Sequence, residues 1–185
     1  MRYFIDTEFI EYPNTIELIS IGIVDENDNE FYAVSCEWQI NHADDWVKKN
    51  VIAQLPDDHF WKTIPEIKRG ILGFVGCDDS DQEDPMYFPG EWEEPEFWAD
   101  WGAYDWVVFC WIFGKMIDLP KGWPMFIRDI QQWRSMLGNP EMPEQPESEE
   151  HSALNDARWT KKKWKWLYEY DKKRFQEMAM VLQSY

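Results

Sequence analysis

The pattern of apolar and polar positions opens the chain with a strand. Arg2 to Phe9 (RYFIDTEF) is an apolar run interrupted by two carboxylates, Asp6 and Glu8. Side chains alternate faces along a strand, so both acids emerge on one face, with Cα atoms about 6.6 Å apart. Two acids in a strand that otherwise reads as core are costly unless something positive neutralises them. Taken alone, the pair fits a metal site or an edge strand with a solvated acidic face.

The pattern continues with a turn over residues 11–15 and a β-branched run from Ile16 to Val24 (IELISIGIV), long enough for a central strand. A second turn at residues 25–29 leads to a third strand, Glu30 to Ser35. Two short turns joining three strands imply an antiparallel meander. From Asp44 the period becomes helical, with Trp46, Val47, Val51, Ile52 and Leu55 on one face until Pro56. Thr63-Ile64-Pro65-Glu66 has the form of a capping box and opens a second helix. Residues 77–96 form a long acidic loop with no regular pattern, followed by a short strand at residues 97–101. Tyr104 to Phe113 is an apolar helix in which Asp105 is the one carboxylate, and Gly114 ends it. Residues 126–128 suggest another short strand, residues 129–137 a helix, and residues 139–150 a polar connection rich in Pro and Glu. A long helix carrying most of the basic residues starts near His151. The order of elements predicts an α/β fold, a mixed sheet flanked by helices.

Composition refines this picture. A chain of 185 residues with 44% hydrophobic residues and 13 Trp reads as a single globular domain spanning residues 1–185. The start does not read as a signal peptide, and no apolar run reaches membrane-spanning length. Three cysteines without metal-type spacing argue against structural zinc and disulfides, so a reducing cytoplasm is the expected compartment. The net charge of −18 argues against binding polyanions through a broad basic surface. Its distribution is uneven: residues 151–185 carry a balance of +4 and residues 1–150 a balance of −22. Contact with nucleic acid must then be local, through the basic helix or through bound cations.

The last helix opens with His151-Ser152-Ala153-Leu154-Asn155-Asp156-Ala157-Arg158. His151 and Asp156 lie roughly 140° apart around an ideal helix, so they can share one centre only if His151 sits in the entering loop or first turn. Asp6 and Glu8 in the first strand, Asp105 in an apolar helix, and His151-x-Ala153-Leu154-x-Asp156-Ala157-Arg158 near the end resemble the DEDDh 3′–5′ exonucleases. The resemblance is closest to the bacterial exoribonuclease AS branch, proteins with a ribonuclease-H-like fold. It extends over Met1 to Glu11, Ile16 to Gly22, Trp98-Ala99 and Gly102-Ala103-Tyr104-Asp105, in the same order along the chain. The acidic loop and the long basic helix depart from the pattern.

What the resemblance implies is a metal-dependent 3′–5′ exoribonuclease that releases nucleoside 5′-monophosphates from single-stranded RNA 3′ ends. Two Mg²⁺ or Mn²⁺ ions, about 3.5–4 Å apart in such sites, activate a water and stabilise the leaving oxygen; carboxylates are the ligands these ions favour. By resemblance Asp6, Glu8 and Asp156 would hold one ion, Asp6 would bridge to the other and Asp105 would contact it. His151 would take the proton from the attacking water, a role suited to an imidazole. Asp100 competes with Asp105 for this place, and the Gly-Ala-Tyr-Asp context favours Asp105. Phe9 and Glu11 would meet the terminal nucleotide, with core packing an equal reading of Phe9. Arg158 and Lys161, Lys162, Lys163 and Lys165 are candidates for phosphate contact. A deoxyribonuclease of the same fold and a non-catalytic acidic nucleic-acid mimic are the alternatives, and the assembly, a homodimer among the options, stays open.

Overall fold

A computed structural model describes residues 1–76 and 94–183, so most of the acidic loop lies outside the described residues. Five strands form one sheet in the order β3-β2-β1-β4-β5. The strands are β1 (Arg2–Tyr12), β2 (Thr15–Asp25), β3 (Glu30–Val34), β4 (Glu96–Ala99) and β5 (Arg128–Asp129). The first three form the expected antiparallel meander, and β4 and β5 add in parallel beyond β1. This is the expected mixed α/β sheet, and its strand order is consistent with a ribonuclease-H-like fold.

Helices cover both faces. On one side, α2 (Ile64–Val75) and α3 (Ala103–Phe113) bury Tyr3, Ile5, Ile21 and Ile23 beneath a cluster of Phe97, Trp106, Phe109 and Trp123. On the other, the 31-residue α5 (Ala153–Gln183) packs along β1 and β2. β2 is therefore covered on both faces, which explains why it reads as a continuous apolar run rather than an alternating one. The expected capping box of α2 is present, with the Thr63 N–H donating to Glu66 Oε2 at 2.8 Å.

Some boundaries differ from the pattern. The first turn contracts to Pro13-Asn14, because Asn14 accepts a left-handed φ of 66° and lets the strands run to Tyr12 and from Thr15. The helix expected to run from Asp44 towards Leu55 stops at Asn50 as α1 (Asp45–Asn50), followed by a 3₁₀ turn at Ile52–Gln54. Its apolar residues still gather on one cluster, with Val47, Ile52 and Leu55 packed around Val51, and Trp46 alone departs. Val51 is buried with Ile10, Ile19 and Ala43, whereas Trp46 is 52% exposed. β4 ends at Ala99, two residues early, since Trp101 takes a left-handed φ of 62°. β5 lies at Arg128–Asp129, and Asp129 caps α4 (Ile130–Met136) by accepting from the Gln132 N–H at 2.9 Å.

A candidate active site at the end of the first strand

Period-two geometry sends Asp6 and Glu8 to the α5 face of β1. Thr7, between them, turns to the opposite face and meets α3. The first turn of α5 reaches the acids because the residue opposite Asp6 on β2 is Gly22. A Cβ on Gly22 would stand 2.3 Å from the Ala153 carbonyl oxygen, so only glycine admits the helix this closely. Asp156, in that first turn, thereby meets Asp6 and Glu8. Each of the three offers a carboxylate oxygen, all within 4.8 Å of one another.

Neighbouring groups hold the acids in place. Asp156 accepts from the Ser152 N–H at 3.1 Å and from the Gln145 side-chain amide. Asp105 sits in the first turn of α3, where the helix dipole favours an acid. Its Oδ1 accepts from both the backbone N–H and the hydroxyl of Thr7, at 2.8 and 2.7 Å. His151 lies two residues before α5 with a left-handed φ of 64°, the loop position that the sequence spacing required. Its ring meets Trp46 of α1 edge-on, with centroids 4.7 Å apart.

The electrostatics are those of crowded acids. Burial raises Asp6 well above the ordinary carboxylate range, and the negative charges of Asp105, Asp156, Glu8 and Asp100 push it further. Glu8 is pushed up to about 8 by burial and then by Asp156. Burial also raises Asp105 to about 6, against the lowering effect of Thr7. Asp156 is raised by burial, partly offset by its bonds from Gln145 and Ser152. The largest charges acting on Asp6 are negative, and the clustered carboxylates offer oxygen donors. This is the environment a hard divalent cation relieves.

These residues line one cleft of about 450 Å³, which also contains Phe9, Glu11, Trp46, Asp100 and Trp101. A larger cavity of about 830 Å³ shares His151 and Asp156 with it and is walled by Gln131, Arg134 and the 141–147 connection. The structure thus brings together all five acids and bases expected to act, with Phe9 and Glu11 beside them. Phe9 also contacts Tyr104, with ring centroids 5.9 Å apart. Arg158 is not in either cavity; it forks onto Glu30 with two contacts of 2.7 Å. Lys161 and Lys163 are likewise engaged, with Asp28 and Asp100 respectively. Asp100 receives Lys163 and Gln131, whereas Asp105 receives Thr7 and its own backbone N–H.

Comparison with known proteins gives the chain a family. A family profile described as the 3′–5′ exoribonuclease Rv2179c-like domain matches residues 1–168. The chain belongs to this exoribonuclease family. Two relatives from Mycobacterium tuberculosis, the 3′–5′ exoribonuclease Rv2179c of strain H37Rv and the 3′–5′ exoribonuclease MT2234.1 of strain CDC 1551, are each 41% identical over 160 residues. Those residues are 85% of this chain and 88% of each relative. Membership removes the ground for reading the chain as a non-catalytic acidic mimic. Within the family frame, sequence patterns had missed Thr7, Gln145 and Trp46, which act on site residues through side-chain contacts. Gly22 did carry a signal, since an isolated glycine inside a strand marks a close backbone approach. Among the described residues, no helix is long and apolar enough to cross a membrane.

Proposed function

We propose that the protein is a metal-dependent 3′–5′ exoribonuclease of the DEDDh type, removing nucleoside 5′-monophosphates from single-stranded RNA. The observation that carries this reading is the convergence of Asp6, Glu8 and Asp156 within 4.8 Å, in a cleft that also holds Asp105 and His151. The cleft suits Mg²⁺ or Mn²⁺: its clustered donors are carboxylate oxygens, and the largest charges acting on Asp6 are negative.

Asp6, Glu8 and Asp156 would hold one ion, and Asp6 with Asp105 a second. Bound there, two ions would supply charge neutralisation for the phosphodiester and lower the pKa of a water. The protein's own groups do the remaining work. Thr7 fixes the Asp105 carboxylate, and Gln145 and Ser152 fix that of Asp156. His151 accepts the proton as the water oxygen bonds to phosphorus and the bond from phosphorus to the 3′ oxygen breaks. The shortened strand leaves with that 3′ oxygen, and the released nucleotide keeps the 5′ phosphate. Phe9 and Glu11 border the place where the terminal nucleotide would lie. A ribose 2′-hydroxyl contact there would favour RNA over DNA.

The test is digestion of 5′-labelled single-stranded RNA with Mg²⁺ or Mn²⁺. A ladder shortening from the 3′ end and nucleoside 5′-monophosphates as product are expected, with DNA of the same sequence degraded more slowly. EDTA abolishes the ladder, and Asp6→Ala lowers the rate by about three orders of magnitude or more. Activity that survives Asp6→Ala contradicts the proposal.

A further inference from the structure

We propose that Trp101 is a nucleobase-stacking platform for the 3′ end of the RNA. The proposal rests on the exoribonuclease reading and adds a contact of stated chemistry to it. Trp101 lines the same cleft as Asp6, Glu8, Asp105 and His151. Its side chain is 74% exposed, unlike Trp98, Trp106 and Trp123, which pack in aromatic clusters. Leaving so large an apolar ring in water forgoes burial. The backbone is also in a costly state, because φ is 62° at a bulky residue that is not glycine.

The surrounding turn holds the backbone beneath the ring. The Gly102 N–H donates to Asp129 Oδ2 at 2.8 Å, and the Ala103 N–H donates to the Trp101 carbonyl at 2.9 Å. A Cβ on Gly102 would stand 2.4 Å from the Ala99 Cβ, so the turn lies tight against the end of β4. Four residues later the same segment delivers Asp105. The backbone that carries the indole is thus held in a fixed place relative to the acids, with the ring on the wall of their cleft. A flat, exposed aromatic ring beside a phosphodiester site offers what an unpaired base lacks on leaving its neighbour, a face to stack on. The recognition is of the base's π-face, so it tolerates any of the four bases.

The experiment combines two variants with altered substrates. Trp101→Gly removes the ring and relieves the left-handed backbone; Trp101→Phe keeps a smaller ring. We expect Trp101→Gly to raise KM for single-stranded RNA by roughly 5- to 150-fold, the range of one base–aromatic stack. Its kcat stays within about twofold and its Tm is no lower than that of the wild type. Trp101→Phe recovers most of the KM. RNA lacking the base at the last or next-to-last nucleotide loses a comparable factor with the wild type at one of those positions and nothing with Trp101→Gly. A Tm lowered by several degrees in Trp101→Gly would assign the ring to packing, and a changed oligomeric state would assign it to self-association; either overturns the proposal. So does an abasic penalty equal in the wild type and Trp101→Gly. A wild type that degrades no RNA overturns the exoribonuclease reading itself, whereas normal degradation with an unchanged Trp101→Gly overturns the platform alone.

Discussion

Thr7 binds one oxygen of Asp105 twice, through its amide at 2.8 Å and its hydroxyl at 2.7 Å. Asp105 is buried, and these two donors, with its own backbone N–H, hold its carboxylate. Thr7→Val keeps the shape and the amide bond but deletes the hydroxyl. It should lower activity or Mn²⁺ affinity by about 10- to 100-fold, as loss of a group that orients a ligand usually does. Activity assays and Mn²⁺ titration calorimetry check this, and an unchanged Mn²⁺ affinity and rate would mean the hydroxyl is idle. At this scale the acids were legible and their supports were not. Asp6 and Glu8 follow from the period of a strand, and His151 and Asp156 from a local motif. The bond from Thr7 to Asp105 spans 98 positions, and nothing in either local pattern announces it. Gln145, which holds Asp156, sits in a connection whose composition reads only as polar.

Among the elements, the seam between β2 and α5 decides whether the site exists. Gly22 lets the Ala153 backbone approach, and this approach carries Asp156 to Asp6 and Glu8. Gly22→Ala forces the seam apart, at a cost of about 1–3 kcal/mol for overpacking. Thermal unfolding should show Tm lower by about 2–12 °C, and the RNA ladder should weaken more than stability alone explains. A variant with wild-type Tm and activity would show that the seam yields freely. The meander and the helices flanking it were legible from periodicity and turn residues. The short α1 was not, because Val47, Val51, Ile52 and Leu55 keep one apolar face while the backbone passes from α-helix to a 3₁₀ turn after Asn50. The ends of β4 and β5 also moved, since two- to four-residue strands carry too few alternations to set a boundary.

For the whole molecule, the acidic site links stability to pH and to metal. Glu8 titrates near 8 and Asp105 near 6 in the folded protein, against about 4 for free carboxylates. Between those values the folded state holds more protons than the unfolded state, so stability falls as pH rises from about 4 to 8. Metal-free protein should therefore have a lower Tm at pH 8 than at pH 5.5. Millimolar Mn²⁺ should raise Tm more at pH 8, where fewer protons compete for the ligands than at pH 5.5. Calorimetry in EDTA and in MnCl₂ measures both, and a Tm in EDTA that rises with pH would reverse the assignment. The same cluster reconciles a net charge of −18 with a polyanionic substrate, since cations at the site, not a basic surface, would meet the phosphate. That central claim is tested most directly by anomalous diffraction at the manganese edge, on crystals grown with MnCl₂ and a nucleoside 5′-monophosphate. We expect an anomalous peak bonded to the carboxylates of Asp6, Glu8 and Asp156; no peak there at millimolar Mn²⁺ would contradict the account.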